Sequence, residues 1–475
     1  MTESNDIETN EDGTPSINRI PLMIVLISGA FIAILNQTLL GTALPHIMRD
    51  LNLTANTAQW LQSIFMLVNG IMIPITAFLI ERYTTRRLFL TAMGLFALGT
   101  LVCAIAPNFT VLLSGRVLQA SGAGIILPLM QTILFLVFPI EKRGQAMGMF
   151  GLVIAFAPAI GPTLSGYLVE QFPWRSLFYV VLPIAILDII LAYFILKNVT
   201  ERTFPKVDPV SIIQSTLGFG GLLYGFSVAG NVGWGNWQVI TSLSIGAVTL
   251  ILFISRQLRL KKPILEFRIF KYKMFALTTG IGMVAFITMI GGAIILPIFM
   301  QDMLGFTAFE SGLMLLPGAI LMGIMNPITG RLFDKFGAKW LAVCGLTLLT
   351  VTSLMFTNLT TETTFMYLTI VNAARMFGIS MVMMPVTTAG LNQLPKKLMP
   401  HGSAMNNTMR QIAGAVGTAL LVTIMTNQAI PSQGTSGLIH GVNMSFVLAT
   451  IIATIGLGLA FFIKHSRPGI DPEPE

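Results

Sequence analysis

The chain is expected to be an all-α polytopic membrane protein with fourteen transmembrane helices and both termini cytoplasmic, arranged as two six-helix bundles plus two extra helices. Three observations lead there. With 54% hydrophobic residues, only 10% charged and a mean hydropathy of +0.79, the composition excludes a soluble multidomain protein. Apolar stretches recur along the whole chain, each near the roughly 20 residues that a helix needs to cross a bilayer. They run approximately 20–44, 57–80, 88–106, 110–137, 144–171, 175–196, 211–229, 237–255, 275–300, 310–332, 339–357, 364–391, 402–427 and 441–463. The third observation is the placement of the 28 Lys and Arg. With the N-terminus inside and the segments alternating, 23 fall on inner segments, only Arg49 and Arg175 on outer loops, and Arg116, Arg375 and Arg410 within spans. Such a bias fixes orientation by the positive-inside rule.

The net charge of +8 is therefore spread over cytoplasmic loops, where it faces anionic lipid and gives no argument for nucleic acid. The organisation that follows is a cytoplasmic tail 1–19, an N-terminal bundle 20–200, two additional helices 201–262, a C-terminal bundle 263–464 and a cytoplasmic tail 465–475. The first tail is polar and acidic and lacks a basic n-region, and the first apolar stretch is too long for a signal peptide, so no cleavage is expected. Cys103 and Cys344 both fall inside spans and read as small buried hydrophobes rather than a disulfide or metal pair. Four His lack ligand spacing, and no nucleophile–base pair stands out, so neither an enzyme, a metal site nor a cofactor is expected.

Taken in order, the spans carry few polar residues, and each has two readings. Asn36 in the first span hydrogen-bonds either the bundle interior or a substrate. After the second span, Glu81-Arg82-Tyr83-Thr84-Thr85-Arg86-Arg87 sets an acid at a helix end among arginines. The acid either gates the cytoplasmic side with Arg82 or belongs to a topology signal with a tight turn. In the fourth span Arg116 shares a face with Gln119 and Ala123 at i+3 and i+7. A guanidinium at that depth costs at least roughly 2.5 kcal/mol, so it faces the protein interior or else snorkels outward.

The fifth span reads Gly144, Gly148, Gly151 and Ala155, then Ala157-Pro158-Ala159-Ile160-Gly161-Pro162-Thr163-Leu164-Ser165-Gly166. It is either a hinge and seal between bundles or a tightly packed kinked helix. Asp188 is the acid nearest the middle of any span, with Ala185 and Ala192 on its face. A carboxyl taken out of water can load or release a proton near neutral pH; the alternative is a structural hydrogen bond. Arg116 is the expected neighbour that helps release that proton. Asp334-Lys335-x-Gly337 after the tenth span poses the same gating question as Glu81. Arg375 in the twelfth span faces substrate or cavity, or snorkels; Arg410 in the thirteenth contacts substrate or cavity or relays protons, or snorkels inward. Met is abundant at 28 residues, with Met381, Met383 and Met384 before Pro385; thioethers suit an adaptable pocket but also fill gaps between helices.

The two halves repeat. Glu81 and Asp334, Arg116 and Arg375, and the Gly144-Gln-Ala-Met and Gly402-Ser-Ala-Met starts are offset by 253, 259 and 258 residues. Two bundles related in this way are the arrangement of major facilitator transporters, which alternate access by rocking. Further motifs extend that likeness. Leu35-Asn-Gln-Thr-Leu-Leu-Gly-Thr-Ala-Leu-Pro45, Arg116 to Gly124, Ala157 to Gly166, Pro263 to Phe270, Gln301 to Pro317 and Asn406-Asn-Thr-Met-Arg-Gln411 resemble signatures of the fourteen-span drug:proton antiporters of the EmrB/QacA type. Within these, the lincomycin-resistance-type exporters are the subgroup the chain looks most like. The resemblance implies proton-driven efflux of diverse amphipathic drugs from a bacterial cell by a multi-pass plasma-membrane protein. It implies small-molecule drugs, protons and the bilayer as partners, with a monomer expected. A metabolite or siderophore exporter, and a sensor or scaffold without flux, stay open. Two departures matter. Asn36 stands where the family has Asp and cannot carry a proton, and Glu81 replaces an Asp while keeping its charge.

Overall fold

A computed structural model describes residues 19–200 and 207–464. Residues 1–18, 201–206 and 465–475, and with them Arg202, Lys206 and Arg467 of the charge count, lie outside the described residues. Among the described residues, fourteen helices are long and apolar enough to cross a membrane. They are α1 Arg19–Asp50, α2 Ala55–Arg82, α3 Thr85–Ala104, α4 Phe109–Val137, α5 Arg143–Gln171, α6 Ser176–Ile195, α7 Pro209–Val232, α8 Trp237–Arg259, α9 Lys273–Ile298, α10 Ala308–Phe336, α11 Ala338–Met355, α12 Phe365–Leu391, α13 Met399–Asn427 and α14 Gly434–Ala460. Each expected apolar stretch is found as one helix. Several helices, such as α1, α2, α7, α8 and α10, overrun the apolar runs where hydrogen bonding continues into the polar interface, while α3, α6, α9 and α11 end a residue or two short; α14 starts seven residues before the expected position 441.

The starts and stops are local chemistry. Side chains of Thr54, Thr84, Asn108, Asn236 and Thr364 accept a backbone N–H at helix N-termini, and Thr307 forms a capping box with Glu310. Gly337 has φ +77°, the conformation that lets α10 turn into α11 within one residue. Prolines 158 and 162 sit inside α5 without ending it.

Helices α1–α6 form one bundle and α9–α14 the other. Between them α5 packs along α10 and α2 along α13, with further contacts of α4 to α13 and α12 to α5. The pair α7–α8 stands outside both bundles: α8 packs on α7, and α7 lies against both α2 and α13. Among the described residues, the hydrogen bonds between the bundles lie on the cytoplasmic side.

Candidate functional site

On the α5–α10 side the bundles meet backbone to backbone. A Cβ at Gly144 would stand 2.4 Å from the Gly330 carbonyl oxygen, and one at Gly148 2.6 Å from that of Asn326. One at Gly151 would meet Met384 and Asn326 side chains. The glycine run of α5 therefore permits the contact. Asp334, at the end of α10, accepts the N–H of Gly144 at 2.8 Å and of Gln145 at 2.9 Å. A carboxylate at a helix N-terminus is stabilised by unpaired amides and the helix dipole. Arg143 donates to Asn392 Oδ1 at 3.0 Å, across the same seam.

On the α2–α13 side Glu81 meets His401 Nε2 at 3.0 Å. Deeper, Asn407 of α13 donates to Gln131 of α4 at 2.7 Å. On the cytoplasmic side two carboxylates at repeat-related positions thus each reach into the other half. Of the residues expected with them, Arg82 lies over Phe78 and Lys335 over Phe336. Lys335 is exposed.

The expected hinge motif sits elsewhere. Gly161 packs against Thr38 of α1 within the N-terminal bundle, Pro158 and Pro162 are exposed, and a Cβ at Gly166 would meet nothing within 4 Å. The close approach of α5 to the other bundle falls on Gly144, Gly148 and Gly151. The physical reason is that only this inner half of α5 faces α10 closely.

The three arginines within spans are buried, so the snorkelling readings give way. Arg116 is 0% exposed; Nε donates to the Leu61 carbonyl at 3.1 Å, Nη1 to Gln119 Oε1 at 2.8 Å, and the guanidinium lies over Phe65. Gln119 Nε2 in turn donates to Thr100 at 2.8 Å and to Asn36 Oδ1 at 3.5 Å. Asn36 thus belongs to a network joining α1, α3 and α4. Arg375 donates to the Thr288 carbonyl and stands over Phe446, inside the C-terminal bundle. Arg410 donates to Thr387 Oγ1 at 2.6 Å, linking α13 to α12.

Asp188 is 2% exposed. Its Oδ1 accepts from Ser28 of α1, and Oδ2 has no hydrogen-bond partner among the described residues. Gly29 and Phe89 pack beside it. The structure does not bring Arg116 to Asp188. Along α3, Asp188 is level with Phe89 and Gln119 with Thr100, eleven residues apart, or roughly 16 Å at 1.5 Å per residue. Cys103 is buried as expected, but Cys344 is exposed on α11. Its span carries hydroxyl residues both outward, at Thr347, and inward, at Thr352 and Ser353, so sequence did not reveal which side turns outward.

Sequence reasoning missed Ser28, Gln131, Asn392 and His401. Each acquires its partner from a distant helix, and nothing local marks it. Asn326 and Asn407 were visible only as members of apolar or family-like runs.

The profile of the Major Facilitator Superfamily matches residues 26–418. The chain belongs to the major facilitator superfamily. Within it, the chain is 55% identical to an uncharacterized MFS-type transporter, YcnB of Bacillus subtilis, over 96% of this chain and 98% of that one. It is 45% identical to the lincomycin resistance protein LmrB of the same organism, over 97% and 99%. Among solved structures, the human organic anion transporter MFSD10 superposes with a TM-score of 0.68 at 13% identity, covering 93% of this chain and 99% of that one. At that identity the superposition speaks for the fold alone. As a major facilitator protein with fourteen apolar helices, the chain is a multi-pass plasma-membrane transporter and not an enzyme.

Proposed function

We propose that this protein exports amphipathic drugs from the cytoplasm in exchange for protons, by rocking residues 20–200 against residues 263–464. The mirrored cytoplasmic closure carries this reading. Glu81 and Asp334 each hold the opposite half, and each bond must break for the cytoplasmic side to open. Similarity to the lincomycin resistance protein LmrB supports a drug as cargo. Met383 and Met384, buried on α12 near Arg410 and Gly151, give this region adaptable apolar surface.

Proton coupling is assigned to Asp188. Ser28 holds Oδ1, and Oδ2 is the position for a proton. Asn36 cannot serve, since an amide does not ionise. Glu310 is engaged in the capping box at the outer start of α10. Arg116 acts separately, fixing Gln119 and Asn36 toward the interior of the N-terminal bundle.

The test is transport by purified protein in proteoliposomes against a panel of lincosamides, cationic dyes and organic anions, for the wild type and Asp334→Asn. Drug flux that slows in Asp334→Asn, with insertion intact, is the expected result. Flux confined to a metabolite would move the cargo assignment, and no flux at all would favour a sensor.

A further inference from the structure

The closure at Glu81 differs in build from its repeat partner at Asp334. Asp334 is held by backbone amides. Glu81 is held by a side chain, His401, at the position where the first half has Arg143 by the register that aligns Gly144 with Gly402. The His401 side chain is 5% exposed and that of Glu81 17%.

His401 has a second partner. The backbone N–H of Glu266, in the connection from α8 to α9, points at His401 Nδ1 at 3.3 Å. A backbone N–H can only donate, so Nδ1 accepts. The neutral ring then carries its proton on Nε2 and donates it to Glu81. His401 therefore receives from one side and gives to the other, in a single orientation.

The connection it receives from is itself anchored. Two residues before Glu266, the Ile264 N–H donates to Gln257 Oε1 of α8 at 2.7 Å. Gln257 Nε2 donates to Ser211 Oγ of α7 at 2.6 Å, and Ser211 donates to Asp208 at 2.6 Å. Arg256 closes the chain with two bonds to Asp208, at 2.8 and 3.1 Å, and holds that carboxyl below its usual range. Gln257 and Ser211 are fully buried. At the other end of α7, Tyr224 stacks on Trp60 of α2 and Trp234 donates to Thr423 of α13 at 2.7 Å. The additional helices thus touch both sides of the seam whose cytoplasmic end His401 joins.

We propose that His401 is a positioning residue of the cytoplasmic gate: it aims a fixed Nε2–H at Glu81 and ties that closure to the base of the α7–α8 hairpin. This rests on the reading of Glu81 as a gate. The role needs one acceptor and one donor, and no change of protonation. Glutamine supplies both from one amide, and leucine supplies neither.

The experiment places spin labels at Lys142→Cys and Lys397→Cys, exposed positions on opposite halves, in a Cys344→Ser background, and reads the ratio of closed to open cytoplasmic distances. His401→Leu and Glu81→Gln should each shift that ratio toward open by about tenfold, the scale of one buried hydrogen bond to a charged group. The double variant should shift it no further. His401→Gln should stay within about twofold of the wild type, and Gln257→Leu should move it toward open by a few-fold. If His401→Leu leaves the ratio unchanged, or His401→Gln opens the gate as far as His401→Leu, the positioning role is wrong. If Gln257→Leu has no effect, the tie to the hairpin is wrong. If Glu81→Gln itself has no effect, the gate reading beneath the proposal falls instead.

Discussion

Asp188 lies between α1, α3 and α6, gripped by Ser28 on one oxygen and, among the described residues, without a hydrogen-bond partner on the other. Under the proposed coupling, replacing it should separate the proton from the cargo. Asp188→Asn should abolish proton-driven export while drug binding, measured by tryptophan quenching or calorimetry, persists. Asp188→Glu should keep part of the activity with a displaced pH profile. Full proton-driven export by Asp188→Asn would move coupling to Asp302, at the outer end of the α9 region. Asp50 offers a pH test on the outer face. The Trp174 indole and the Arg175 guanidinium hold its carboxyl below the ordinary range. Its contribution is therefore present at neutral pH and lost as the pH falls through that lowered value. The side chain is 47% exposed, so the effect is small, under about 1 kcal/mol. The thermal midpoints of Asp50→Asn and wild type should differ slightly at pH 7 and converge in acid. At this scale the sequence was legible where partners lie on one helix. Arg116 and Gln119, three residues apart, are bonded, and Ala185 and Ala192 marked the buried face of Asp188. Ser28 was not legible, because its hydroxyl meets Asp188 only when α1 packs on α6.

The contact of α5 with α10 is the tightest seam between the halves. A Cβ at Gly148 would press on the Asn326 carbonyl and on Pro327 Cα at 2.8 Å, both backbone atoms that cannot rotate away. Overpacking of this kind costs typically 1–3 kcal/mol. Gly148→Ala should therefore bias the protein toward the cytoplasm-open state by roughly fivefold or more. Labelling of engineered cysteines in the seam from the cytoplasmic side would read the change. Gly166→Ala should change nothing, as its Cβ has open space. The repeat in the sequence exposed Glu81 and Asp334 as equivalent, and the glycines of α5 as a packing surface. It did not show that the packing surface ends before Pro158. Small residues mark a close approach without saying which neighbour approaches, and the outer half of α5 meets α1 at Thr38 instead.

At the scale of the whole molecule, topology was the most legible feature. Span length and the one-sided arginines and lysines both follow from the physics of the bilayer, independent of tertiary contacts. The placement of α7 and α8 was not legible, since an apolar helix reads alike whether it meets lipid or the seam between bundles. His401 was hidden for a related reason: its partner Glu81 is 320 residues away. The halves are joined at the cytoplasmic face, and in the proposed cycle that joint opens to drug and then reforms. The chain carries no Gly-x-x-x-x-Gly-Lys phosphate loop that would harness a nucleotide. The direct test of a proton-driven exporter is drug uptake into everted membrane vesicles under an imposed proton gradient, acid inside. Uptake should rise with the gradient, collapse when pH difference and membrane potential are both dissipated, and be missing in Asp188→Asn. Uptake that persists without any gradient, or that purified protein sustains on ATP alone, would contradict the account.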